Sequence, residues 1–142
     1  MAYYWLNQRE GTKGYADVEG EVYHYRNNVP GHRKLSSNDC FVYYRPGAYV
    51  IFGAGMIGDI DVKQFNPSQE TGSLTEYYAN IDAYVKINPP VQVREIKHRI
   101  SFLKHREGLR GVPQNSIYEI SRDDYTTILQ AAGMGTFLHN LF

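Results

Sequence analysis

CFVYYRPGAYVIFGAGMIGDIDV, residues 40–62, reads as extended chain almost throughout. Its first six residues, CFVYYR, are the most strand-like run of the sequence, because aromatic and β-branched side chains suit a pleated, half-buried surface. YVIFG (49–53) and MIGDIDV (56–62) prolong the extended pattern. The GAG at 53–55 supplies glycines where a small barrel needs a tight curve or a bulge to close.

The remaining segments agree with a mostly β chain. YYWLNQ, residues 3–8, predicts a short first strand with Tyr3, Trp5 and Asn7 on one face and Tyr4, Leu6 and Gln8 on the other. Asn7 and Gln8 end it, as amides commonly do at turns, and such amides equally suit the mouth of a pocket. After the loop at 11–20 comes GEVYHYR, an extended piece stopped by the turn residues NNVPG. Further on, Ala79, Ile81, Ala83, Val85 and Ile87 alternate with Asn80, Asp82, Tyr84 and Lys86, which predicts a long half-buried strand stopped by Pro89-Pro90. From Arg94 to Arg106 the spacing of Ile96, Ile100 and Leu103 predicts a basic amphipathic helix. NSIYEIS gives another short strand. Ser121 then caps a final helix, with Asp124 three residues on, an inner stripe of Tyr125, Ile128, Leu129 and Ala132, and Gly133 as the stop. About six strands and two helices give an α+β expectation: a small, strongly bent β-barrel with flanking helices.

At 142 residues a single domain spanning 1–142 is expected, large enough to bury about two thirds of its unfolded surface without a metal or disulfide. The one cysteine, Cys40, lies in an apolar run and reads as a buried structural thiol, with the cytoplasm as the expected compartment. No basic segment followed by an apolar stretch opens the chain, and no window approaches 18 apolar residues, so neither a signal peptide nor a membrane span is expected.

Fifteen basic and 15 acidic side chains cancel, which argues against a uniformly positive nucleic-acid surface. The charges are nevertheless segregated. Arg94, Lys97, Arg99, Lys104, Arg106 and Arg110 face only Glu95 and Glu107 in their own stretch, and Arg26, Arg33, Lys34 and Arg45 share theirs with Asp39. Thirteen tyrosines, six phenylalanines and one tryptophan are the other anomaly. Tyr rings support strand packing and also make stacking surfaces for flat ligands.

Catalytic motifs are largely excluded. GAGMIG has the G-x-G-x-x-G spacing of a dinucleotide fingerprint, but DIDVKQF continues an extended pattern instead of opening a helix. His24, His32, His98, His105 and His139 never pair at H-E-x-x-H spacing, and one cysteine leaves zinc without its usual ligands. Ser36, Ser37, Asp39 and Cys40 beside His32 read as structural. The expectation is a chain that binds and does not cut, with no metal and no cofactor.

Taken in order, YYWLNQ, VYHY, SSNDCFVYY, YVIFGAGMIGDI and GLRGVPQNSIYEISRDDY resemble the EVE domain of the PUA superfamily, particularly the EVE-like reader modules of modification-dependent restriction endonucleases. The resemblance covers roughly residues 3 to 130. It implies a bent β-barrel whose aromatic and polar pocket accepts a base flipped out of double-stranded DNA, commonly 5-methylcytosine or a related modified base such as 5-hydroxymethylcytosine. A fused C-terminal HNH or other nuclease would then cut. By position, the family's polar first-strand residue falls on Asn7, the aromatic of the second segment on Tyr23 or Tyr25 with His24 between them, and the late loop on Arg110 through Ser116. Val22-Tyr23-His24-Tyr25 replaces the family's Trp-Gly-Val, which leaves the identity of the base open.

The residues themselves support a base reader. A flipped base needs an aromatic wall and fixed donors and acceptors at its Watson–Crick edge. Asn7, Gln114 and Asn115, with Ser116, are candidates for the edge, Trp5, Tyr23 and Tyr25 for the walls, and His24 for a base edge or phosphate. Arg26, Arg33, Lys34, Arg45, Lys104, Arg106 and Arg110 are candidate phosphate contacts. Two other readings stay open: a reader of modified RNA or of N6-methyladenine in the manner of the related YTH fold, and a protein-interaction module using its tyrosines.

Overall fold

A computed structural model describes residues 1–8, 15–65, 74–109, 112–113 and 117–135. Along the chain come β1 (Tyr3–Asn7), β2 (Val22–Arg26), β3 (Cys40–Arg45), β4 (Val50–Phe65), β5 (Leu74–Gln92), α1 (Val93–Ile96), a 3-10 turn at Lys97–Arg99, β6 (Ile117–Ile120) and α2 (Arg122–Ala131). The strands form one mixed sheet in the order β2-β5-β4-β3-β1-β6, with β1 parallel to β3 and the other neighbours antiparallel.

The sheet is curled into a half-barrel. β2 and β1 stand four places apart in the order, which on a flat sheet is about 19 Å at ~4.8 Å per strand. Yet the Tyr23 hydroxyl donates to the Asn7 carbonyl at 3.1 Å. Only a rolled sheet brings those strands within reach of one tyrosine. The inside of the curl is therefore the aromatic cluster of Tyr4, Leu6, Tyr23, Tyr25, Phe41, Tyr43, Phe52, Ile57 and Ala79. The opposite face carries Trp5, Cys40, Val42, Tyr44, Ile51 and Ala54, covered by Val93, Ile96, Ile100 and Leu103 and by Tyr125, Ile128 and Leu129 of α2. The period-two reading of residues 3–6 thus divides correctly between the two faces, and residues 40–44 alternate between them in the same way.

Glycines in β4 permit the curl. A Cβ at Gly53 would lie 2.3 Å from the Tyr84 hydroxyl, and one at Gly55 would lie 2.1 Å from the Ala83 carbonyl oxygen and 2.9 Å from Phe41 Cζ. The expected bulges occur as register shifts at Ile51/Gly53, Met56/Ile57 and Ile57/Ile60 within one continuous strand.

Three expectations are corrected. The clean alternation of 79–87 breaks, because Met56 pairs Ala83 while the next residue, Ile57, pairs Ile81. Asp82 is the extra residue, and the phase inverts there: Tyr84 packs inward, and Ala83 and Val85 are exposed. Pro89-Pro90 does not stop β5, which runs on to Gln92 past a cis Asn88–Pro89 peptide. The ladder to β4 skips from Lys86 to Val91, so neither proline is asked for an N–H. Finally, no long basic helix spans 94–106. The Ser101 N–H, which an α-helix would direct to Lys97, donates instead to the Asp124 carboxylate at 2.9 Å, and the Ser101 hydroxyl donates to its other oxygen at 2.5 Å. Ile96, Ile100 and Leu103 are nonetheless all buried.

α2 begins as expected. The Ser121 Oγ accepts from the Asp124 N–H at 3.0 Å, and Gly133 follows the helix at φ +73°.

Candidate functional site

β1 ends at a buried pair of amides. Asn7 is 7% exposed and Gln8 is fully buried. The Gln8 N–H donates to the Tyr44 carbonyl at 3.0 Å, continuing the parallel ladder one residue past the strand. The Asn7 Nδ2 donates to the Pro113 carbonyl at 3.2 Å, tying the first strand to the loop 106 residues later. Its Oδ1 is buried and meets no donor among the described residues. Leaving such an acceptor unmatched costs roughly 1–3 kcal/mol, so an amide fixed at one end with its other end unsatisfied is a natural place for a ligand donor.

The candidate pocket residues are only partly brought together. Asn7 and the loop at Pro113 meet directly, and Tyr23 reaches the Asn7 backbone. Tyr25 lies further along the inner face, stacked on Tyr77 with centroids 4.9 Å apart and planes at 5°. Burial pushes its hydroxyl well above the usual tyrosine range. Trp5 belongs to the other face, fully buried against Tyr44 and Phe102. Gln114, Asn115, Ser116 and Arg110 lie outside the described residues.

His24 points away from Tyr23 and Tyr25, as its place between them on a strand requires. It stacks on Tyr78 at 4.4 Å and 9°, with Tyr15 beside it at 5.3 Å. The Ala16 N–H donates to its Nδ1 at 2.8 Å. The neutral ring therefore carries its proton on Nε2, which faces Glu76 Oε1 at 3.3 Å, off the line of a good hydrogen bond. Glu76 in turn holds Arg26 at 2.8 Å and accepts from the Tyr78 hydroxyl at 3.3 Å. Arg26 also lies over the Tyr15 ring, and Lys63 over that of Tyr78. This cluster anchors the segment that leads into β2.

Burial lowers the His24 pKa below its ordinary value, against an upward pull from Glu76. The unfolded chain then binds the proton more readily than the folded one. Stability from neutral His24 is complete above the unfolded value of about 6.5 and is lost as pH falls from there through the folded value. Chemical denaturation of wild type and His24→Phe between pH 7.5 and 5 should show the gap between their midpoints narrowing as pH falls. A constant gap would contradict the assignment. The Glu76 carboxyl, held low chiefly by Arg26, acts in a separate window below about 4.5.

The cations divide into two kinds. Arg26 is committed to Glu76 and Tyr15, Lys34 stands 3.9 Å from Glu119, and Arg45 lies over the Phe52 ring at 4.4 Å. Arg33, Lys104 and Arg106 are exposed. Residues 97–106 are braced from within, since Lys97 Nζ donates to the Arg106 carbonyl. Asp39, read from the sequence as structural, is spent on the backbone: it accepts from the N–H groups of Ala2 and Ser36, both at 2.9 Å.

Fold and site together define the class: an α+β half-barrel, a six-stranded mixed sheet with two short helices, whose first strand ends in a buried amide held by a late loop. No protein-family model matches the chain, and no curated protein matches it. Among the described residues no helix is long and apolar enough to cross a membrane, and no three His, Cys, Asp or Glu side chains gather to hold a metal ion.

Proposed function

We propose that this chain reads a modified base in double-stranded DNA, 5-methylcytosine or 5-hydroxymethylcytosine, flipped into a pocket where β1 meets the loop at Pro113. It serves as the specificity domain of a modification-dependent restriction endonuclease whose cutting activity lies in a separate nuclease domain. One observation carries the reading: the buried Asn7 amide, oriented by Pro113, keeps an acceptor oxygen free of any described donor. An acceptor held in that way suits the exocyclic amine on the Watson–Crick edge of a flipped cytosine. The late loop that holds Asn7 is the one in which the EVE resemblance places the pocket's other polar groups.

The test is a titration at fixed salt with otherwise identical duplexes carrying cytosine, 5-methylcytosine, 5-hydroxymethylcytosine, adenine or N6-methyladenine, and with an RNA of the same sequence. One cytosine modification should win by roughly 1–3 kcal/mol, the usual value of one base contact. Asn7→Ala should flatten that preference. A win by N6-methyladenine or by the RNA would move the protein to the YTH-like alternative, and equal weak binding throughout would remove the pocket.

A further inference from the structure

Several connections converge where β1 ends. The Gln8 N–H bonds the Tyr44 carbonyl, so Arg45 follows immediately beside the Asn7 rim. Across the β3–β4 hairpin, the Tyr49 N–H donates to the Arg45 carbonyl at 3.1 Å, and the Tyr49 carbonyl accepts from the Val93 N–H at 3.1 Å. Arg94 comes next. Residues 7, 45, 49 and 94 are thus assembled at one end of the curl by backbone bonds alone.

Tyr49 is anomalous there. Its φ is +57°, a left-handed conformation that disfavours any residue with a Cβ and suits glycine, and Gly47 in the same turn does take φ +86°. The chain nevertheless places a tyrosine at this position, 40% exposed and among the few large hydrophobic side chains left open to solvent. Both its backbone groups are bonded, so the main chain holds the unfavourable conformation and the ring projects from it. Arg94 is exposed and makes no ion pair among the described residues, and with Lys97, Gly108 and Leu109 it lines a groove of about 280 Å³. A bulky residue held at such a φ marks a position where the side chain matters more than the backbone's preference.

We propose that Tyr49 is a stacking residue: with DNA held at the Asn7 rim, its ring packs on the base next to the flipped one, and Arg45 and Arg94 contact the flanking phosphates. The proposal rests on the base-reading function above and adds to it the contact to the neighbouring nucleotide. Aromatic faces attract any base, so the ring contributes affinity without selecting sequence. The two guanidiniums supply the salt-dependent part.

Tyr49→Gly separates a binding role from a structural one, because glycine adopts φ +57° freely and leaves both backbone bonds in place. On a duplex with a single 5-methylcytosine, followed by fluorescence anisotropy, Tyr49→Gly should bind roughly tenfold more weakly than wild type, with an unchanged slope of log affinity against log salt. Its thermal midpoint should equal or exceed that of wild type. Tyr49→Phe should retain affinity. Arg45→Gln with Arg94→Gln should reduce the salt slope by about two. Wild-type affinity in Tyr49→Gly overturns the stacking role and leaves the base reader standing. A fallen midpoint accompanying lost affinity assigns the ring to packing and also overturns it. If wild type binds none of the duplexes, the base-reading function fails and this inference falls with it.

Discussion

Gly55→Ala is expected to damage the fold severely for the addition of one methyl group. Gly55 is laddered on both sides, to Phe41 of β3 and Tyr84 of β5, so the strand has no free edge toward which to move. The new Cβ would meet the Ala83 carbonyl oxygen at 2.1 Å and the Phe41 ring at 2.9 Å. The first of these is backbone and cannot swing away as a side chain would. Overpacking in a core typically costs about 1–3 kcal/mol, and a clash with a laddered carbonyl belongs at or above the top of that range. A domain of this size loses about 2–4 °C of Tm per kcal/mol, so thermal unfolding should show a fall of roughly 6–12 °C. Gly58→Ala is the control. Its Cβ would lie 3.2 Å from Asp82 Cβ, a contact that a few tenths of an ångström relieve, and its Tm should stay within a few degrees of wild type. Equal midpoints for the two variants would mean that the close approach of β4 and β5 does not hold the curl.

Trp5→Ala should be comparably severe for the opposite reason, a void. Trp5 is fully buried between Tyr44, centroids 4.8 Å apart and tilted, and Phe102, 5.7 Å away and edge-on. Truncating such a ring typically costs about 3–5 kcal/mol, which is roughly a third or more of the stability of an ordinary domain. Trp5→Phe should cost far less, about 1–2 kcal/mol, since the buried indole N–H meets no acceptor among the described residues and its removal breaks no bond there. Urea denaturation followed by circular dichroism measures both. The pair also tests the sequence expectation that Trp5 walls the pocket. A residue sealed on the helix-covered face should leave base preference unaltered in folded Trp5→Phe, and a changed ranking of the modified duplexes would put the indole in the site.

What was legible in the sequence was what depends on neighbours along the chain. The faces of 3–6, the Ser121 cap and the glycine-bearing strand follow from periodicity and local chemistry, and the structure repeats them. What failed depended on distant partners. Nothing in TEYYANIDAYVK signals that Asp82 will be the extra residue opposite β4, because a bulge is set by the register of two strands. Helical spacing from 94 to 106 is real, yet a carboxylate at Asp124 captures the N–H that would have continued the helix. In the candidate site, the structure brings Asn7 against the late loop at Pro113. His24 was grouped with Tyr23 and Tyr25 by adjacency, although the two-residue period already assigns it to the other face. Tyr49 gave no signal, since a positive φ leaves no mark on a residue's identity unless that residue is glycine.

The place of β1 in the sheet has a consequence for synthesis. The first strand made is flanked on one side by β3, completed at Arg45, and on the other by β6, which ends at Ile120. At about 5–20 residues per second, the ribosome delivers that second partner roughly 6–23 seconds after Tyr3. During that interval YYWL is an apolar strand with one row of N–H and C=O groups unpaired, a template on which another nascent chain can dock. Long-range pairing is slow to form even in a finished chain, and here it cannot begin until almost the whole described sequence exists. The hazard of this fold therefore lies in the order of its manufacture, and a chaperone that shields β1 has to act until Ile120 has emerged.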